Sequence, residues 1–214
     1  MTKQLYRSTG LCLALGSLLI IATMVLHPAG GDIPYLISIA KMLKTSHTIG
    51  IVSVPVALFG FYGLSKALQD KLRLSTLAFI IIAFGLLACM LAALLNGVIL
   101  PTFLSKFQSS LNEDIQILEI IVSYNFTLNW AFDYIFIVAC CLSISIYSIL
   151  MISSGNTFKW LGYIGLSLLV LAFAGLIFKF AFTSLIGFRF FTFSLSAWIL
   201  ATGVLLFRTK PQPE

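Results

Sequence analysis

Apolar residues fall in six long runs along the chain, and short polar segments separate them. The runs extend approximately over Leu11–His27, His47–Ser65, Leu74–Leu100, Asn125–Ile152, Phe158–Phe182 and Leu185–Phe207. A hydrocarbon core of about 30 Å takes roughly 20 residues of helix at about 1.5 Å each, and the runs meet or approach that length. Leu, Ile, Phe and Ala fill them, with glycines inside, as in helices packed against one another in lipid. A membrane β-barrel would instead alternate apolar and polar residues over segments of about 10. No such alternation occurs. The pattern predicts an all-α integral membrane protein, a single transmembrane domain over residues 1–214 built as a bundle of six helices.

Composition agrees. Of 214 residues 60% are hydrophobic and only 9% charged, whereas a soluble domain carries about 25% charged residues. There is too little charge to coat a water-facing surface. Four cysteines and six prolines also exclude a disulfide scaffold and a disordered chain. Lys3 and Arg7 ahead of an apolar run resemble the start of a signal peptide. The exit HPAGGD lacks small residues at both the −3 and −1 positions, so the run is expected to stay as a first helix.

The connecting segments set the expected orientation. On the N-terminal side they hold Lys3, Arg7, Lys66, Lys71, Arg73, Lys159, Arg208 and Lys210; on the other side they hold Lys41, Lys44 and Lys106. By the positive-inside rule both termini are cytoplasmic, in a multi-pass protein of the cell membrane. The net charge of +6 reads as a topology signal. Nucleic-acid binding would need a soluble basic face, which this chain lacks.

The two longer outer connections are expected to carry short interfacial helices. In the first, Ile33, Leu36, Ile37, Ala40 and Leu43 fit one apolar face. In the second, Pro101 reads as a helix stop. Ser110 with Glu113 reads as a capping box ahead of the run Ile115–Val122.

Polar side chains inside a membrane are costly, and here they gather in one leaflet. His27 ends the first run, His47 begins the second, and Asn96 lies near the outer end of the third. Asn125, Asn129 and Asp133 step by four and share a helix face. Lys179 and Arg189 fall in the outer parts of the fifth and sixth runs. Asp133 is the one carboxylate inside a run, and its side chain is too short to snorkel far. These eight residues are the expected polar pocket, with Asp133 paired to Arg189 first and Lys179 second.

The chemistry of the cluster is less specific. His27, His47, Asp32 and Asp133 could form a zinc-type set, but no HExxH, HxxxH or CxxC spacing occurs, so neither a metal nor another cofactor is expected. Adjacent helices place the two histidines poorly for a bis-histidine haem. A single intramembrane Asp excludes an aspartyl dyad, and GxSxG is absent. Cys12, Cys89, Cys140 and Cys141 all lie inside runs, where thiols act as small hydrophobes. Gly60, Gly63, Gly162, Gly165, Ala88 and Ala92 read as close helix contacts. Asn125-Phe126-Thr127 matches a glycosylation sequon but abuts the membrane. Trp130, Trp160, Tyr6, Tyr124 and Tyr163 suit aromatic belts.

Three functional readings fit this pattern. The first is a pocket that binds or transports a small polar or zwitterionic solute or a lipid headgroup, although no inverted repeat accompanies it. The second is a structural subunit that docks a protein partner or a second copy. The third is a membrane enzyme working at the outer leaflet, with His27 or His47 as base and Asp133 as orienter.

Overall fold

The computed structural model describes residues 2–68, 72–154 and 158–209, and every regular element among them is helical. They form α1 (Lys3–Leu26), α2 (Ile33–Ser38), α3 (Ala40–Ala67), α4 (Leu72–Leu94), α5 (Leu100–Leu104), α6 (Leu111–Ser153), α7 (Lys159–Ile177) and α8 (Leu185–Arg208). A π-helical segment, Leu95–Ile99, joins α4 to α5, and a 3₁₀ turn, Ser105–Phe107, follows α5. Six stretches are long and apolar enough to cross a membrane, with α4 through the 3₁₀ turn acting as one crossing, Arg73–Phe107. The chain is a multi-pass membrane protein. Lys71 and Lys210 of the basic tally lie outside the described residues.

The helices pack mainly along chain order. α1 lies between α3 and α8, α3 runs on to α4, α4 lies along α6 and α6 along α7, while α7 touches α8 only lightly. Small residues allow the closest approaches. A Cβ on Gly60 would stand 2.7 Å from the backbone of Leu13, and one on Gly16 would stand 2.9 Å from Ala57 N. The main core gathers Leu13, Phe61, Leu64, Ile82, Tyr147 and Trp198. Interhelical hydrogen bonds supplement it: Ser143 Oγ donates to Ala78 O at 2.9 Å, and Trp198 Nε1 donates to Leu161 O at 3.0 Å. In lipid such bonds hold helices together where apolar burial alone cannot.

Several boundaries differ from the hydropathy pattern. α3 begins at Ala40, so His47 does not begin the second crossing but lies about two turns inside it. The apolar face of α2 is not laid on a headgroup surface. It enters a second small core in which Ile33, Leu36 and Leu43 meet Leu100, Leu104, Leu118 and Val122. The run Ile115–Val122 is not a separate interfacial helix either. It belongs to α6, whose 43 residues span about 64 Å at about 1.5 Å each. No glycine or proline interrupts residues 108–154, so nothing breaks the helix where it meets the headgroups. The Ser110–Glu113 capping box does not form; Ser110 Oγ donates instead to Asp114 Oδ2 at 2.7 Å.

Pro101 does not stop its helix. It sits in the first turn of α5, directly after the π segment. A proline inside an α-helix clashes with the carbonyl four residues back, and the wider π turn relieves that clash. The fifth crossing ends at Ile177 rather than Phe182 because the chain turns there. Phe180 N–H donates to Gly175 O at 2.8 Å and Lys179 N–H to Leu176 O at 3.1 Å. This is the Schellman pattern, and Lys179, at φ 57°, fills the left-handed position usually given to glycine.

Candidate functional site

A cavity of about 250 Å³ lies at the end of the bundle where α1 stops and α3 starts. Its walls are mostly apolar, with Met24, Met90, Phe136 and Phe188 among them. Set into those walls are His27, His47, Asn96, Asn129, Asp133, Thr183 and Thr192. Six expected pocket residues are thus on or beside the cavity. Asn125 stands just behind it, buried, with Nδ2 donating to Asn96 Oδ1 at 3.2 Å.

The two histidines are built alike. His27 caps the C-terminus of α1 and its Nδ1–H donates to Pro28 O at 2.8 Å. His47 is 5% exposed, and its Nδ1–H donates to Leu43 O one turn earlier, also at 2.8 Å. Backbone carbonyls can only accept, so in each neutral ring the lone pair is left on Nε2. The ring centroids stand 4.6 Å apart with the planes inclined at 54°. Burial lowers the pKa of His27 below its usual value, and the nearby Arg189 guanidinium lowers it further against the opposing Pro28 hydrogen bond. His27 is therefore neutral near pH 7, with Nε2 an acceptor.

The π segment explains how His47 is held. Gly97, within it, is buried against the ring, and a Cβ there would overlap His47 Cβ, Cγ and Cδ2. The Cγ–Cδ2 edge of the imidazole therefore faces bare backbone. Local π turns are frequent at functional sites. Here the turn brings a side-chain-free position to His47 and places Asn96 beside Asn125.

Asp133 and Arg189 are not paired. Asp133, 9% exposed, has Oδ2 accepting from Asn129 Nδ2 at 2.7 Å. No salt bridge joins it to a cation among the described residues. Arg189 instead directs Nη2 to the carbonyl oxygen of His27, an orphan acceptor at the end of α1. The guanidinium thus acts as a C-terminal clamp on α1, where a cation also suits the helix dipole. Lys179 is exposed in the turn after α7 and does not line the cavity. Once α7 ends in a Schellman turn, Lys179 no longer shares a helical face with the pocket. Asp32 also stands apart. As the N-cap of α2 its Oδ1 accepts from Tyr35 N at 2.9 Å, and it lines a neighbouring groove.

That groove holds Asp32, Glu119, Phe126 and Trp130, and Phe126 lines both it and the cavity. Trp130 Nε1 donates to Thr183 Oγ1 at 2.9 Å across the same rim. The sequence pattern did not single out Gly97, Phe126 or Thr192. Only Pro101, four residues beyond Gly97, hinted that the third crossing departs from a regular helix. Among the described residues no group of three or more His, Cys, Asp or Glu side chains converges on one point. Compared with family models, with curated proteins and with solved structures, the chain matches none, so its function is argued from the chemistry of this cavity.

Proposed function

We propose that the protein binds a small cation or cationic solute in this cavity, as a binding or transport protein of the cell membrane. One observation carries the reading. Among amides and hydroxyls that can donate or accept, the wall carries three groups that only accept, namely His27 Nε2, His47 Nε2 and the Asp133 carboxylate, and no lysine or arginine among the described residues lines it. An anionic or zwitterionic guest would need the cations that the sequence pattern assigned to the pocket. Arg189 directs Nη2 to a backbone carbonyl and does not line the cavity, and Lys179 is outside. The Thr192 hydroxyl, 2% exposed and without a partner among the described residues, adds a group able to accept or donate.

The basic tally orients the molecule with both termini in the cytoplasm and the cavity in the outer half. Asp32 and Glu119 then stand in an outer groove beside Phe126, where two carboxylates enrich cations locally. The apolar remainder of the wall suits the carbon portion of an amphiphilic amine.

Thermal unfolding of purified, metal-free protein in mild detergent tests the reading. A series of short alkylammonium ions should raise the unfolding temperature, and matched alkylcarboxylates should not. A ligand at about 100 times its Kd stabilises by about 2.7 kcal/mol, well above the resolution of such a measurement. Asp133→Asn should remove the response. Equal stabilisation by carboxylates, or an amine response unchanged in Asp133→Asn, would overturn it.

A further inference from the structure

Resting on the cation-binding reading of the cavity, we propose that its guest is a two-ended amine, an amino alcohol whose ammonium group meets Asp133 and whose hydroxyl donates to the histidine pair. The acceptors on the wall form two separate stations. His27 ends α1 and His47 lies in α3, with ring centroids 4.6 Å apart. Asp133 and Asn129 lie on α6, which packs along α4 and α7. All four line the cavity, yet Asp133 does not converge with the two histidines, since no group of three such side chains meets at one point among the described residues. Met24, Met90 and Phe136, also on the wall, present mainly apolar surface. A guest that uses both stations carries one polar group at each end and carbon between them.

The two ends differ in charge. At the α6 end Asn129 Nδ2 donates to Asp133 Oδ2 at 2.7 Å, and Oδ1 has no partner among the described residues. Buried charge is costly unless paired, and one carboxylate balances one cation. The ammonium group belongs there. At the other end each Nδ1–H is held by a backbone carbonyl, so each Nε2 can only accept. The Arg189 guanidinium, bonded to the carbonyl of His27, stands close to this end and repels a second cation. A carboxylate, ketone or ether would face these nitrogens acceptor to acceptor. A hydroxyl meets both conditions, because it donates its proton to either Nε2 and adds no charge.

Calorimetric titration of the purified protein in mild detergent tests the two ends separately. The probes are linear α,ω-amino alcohols and, at equal chain length, n-alkylamines, ω-methoxyalkylamines, α,ω-diamines and α,ω-diols. One chain length of amino alcohol should bind best, about tenfold or more tighter than the n-alkylamine of that length, because the methyl end leaves buried acceptors unmatched. The methoxy compound keeps the oxygen without the proton and should lose this advantage. The diamine should bind no better than the n-alkylamine. These comparisons use the wild-type protein and depend on no variant folding. Replacing both histidines by alanine should erase the preference for the hydroxyl while amines still bind, and Asp133→Asn should abolish binding of both series. An n-alkylamine or methoxy compound that binds as tightly as the amino alcohol at every chain length overturns the two-ended guest and leaves the cation reading standing. A diamine that binds most tightly overturns the neutral end. Diols that bind as tightly as amino alcohols, or no binding by any amine, overturns the cation reading and this guest with it.

Discussion

Gly97→Ala tests whether the π segment and His47 form one unit. By helix propensity alone, replacing a mid-helix glycine with alanine stabilises by about 1 kcal/mol. The structure predicts the opposite sign. The added methyl would overlap Cβ, Cγ and Cδ2 of His47, the root of that side chain rather than a flexible tip. Either the 95–99 segment moves away from α3 or the imidazole leaves its rotamer. Overpacking of this kind costs about 1–3 kcal/mol, and a displaced ring also loses its bond to Leu43 O, worth about 1 kcal/mol more. Set against the propensity gain of about 1 kcal/mol, the net loss is about 1–3 kcal/mol, which lowers the unfolding temperature by about 2–12 °C at about 2–4 °C per kcal/mol for a chain of this length. Thermal unfolding in detergent measures it, with Gly30→Ala as control. Gly30 is on the cavity wall, and a Cβ there meets nothing within 4 Å. That variant should stay within about 0.5 kcal/mol of wild type. Gly97→Ala should also weaken the alkylammonium response, whereas Gly30→Ala should preserve it. A Gly97→Ala protein as stable as wild type, or more so, would refute the coupling of the π segment to His47.

The same geometry fixes three further outcomes. Lys179→Gly should raise stability by about 1 kcal/mol, because a left-handed backbone costs a side-chain-bearing residue about that much. It should leave ligand response unchanged, since Lys179 lies outside the cavity; a loss of response would return it to the site. Asp133→Asn and Arg189→Gln belong to separate networks, one with Asn129 and one with His27 O. Their effects on unfolding temperature should add to within about 0.5 kcal/mol, and partial recovery in the double variant would show that they form a pair after all. Orientation is tested by thiol labelling on a background without native cysteines. A cysteine at Ser109 should react with an impermeant reagent from outside and one at Asp70 should not, and the reverse pattern would turn the cavity toward the cytoplasm.

Membrane crossing was legible from the sequence because the bilayer imposes length and polarity on every span at once. The clustering of His27, His47, Asn96, Asn129 and Asp133 was legible for the same reason, since each polar residue in an apolar run stands out. Their partnerships were not. The Asp133–Arg189 pairing assumed that two opposite charges at similar depth must meet. A carboxylate can instead take a neighbour's amide one turn away, as with Asn129, and an arginine can serve an orphan carbonyl at a helix end, as with His27 O. Both alternatives are local, and neither leaves a trace in spacing. Lys179 was misplaced because the chain leaves α7 through a left-handed lysine where a glycine would have announced the turn.

The π segment shows what decides the site's character. Without Pro101 the third crossing could continue as regular α-helix past Asn96, and Gly97 would have no reason to meet His47 rather than another face of α3. The proline demands a wider turn, and that turn presents a residue without a side chain to the imidazole. The ring, tied at Nδ1 to its own helix and flanked at Cδ2 by bare backbone, keeps Nε2 free of any partner among the described residues. His27 reaches the same state by another route, with Pro28 O holding Nδ1 and Arg189 holding its carbonyl. Two helices of different origin thus deliver two equivalent acceptors to one apolar cavity. Helix-to-helix glue would pair such acceptors with donors across the interface. Here both stay without a protein partner in a cavity that also holds the Asp133 carboxylate, and two open acceptors with a carboxylate argue for a guest that supplies positive charge.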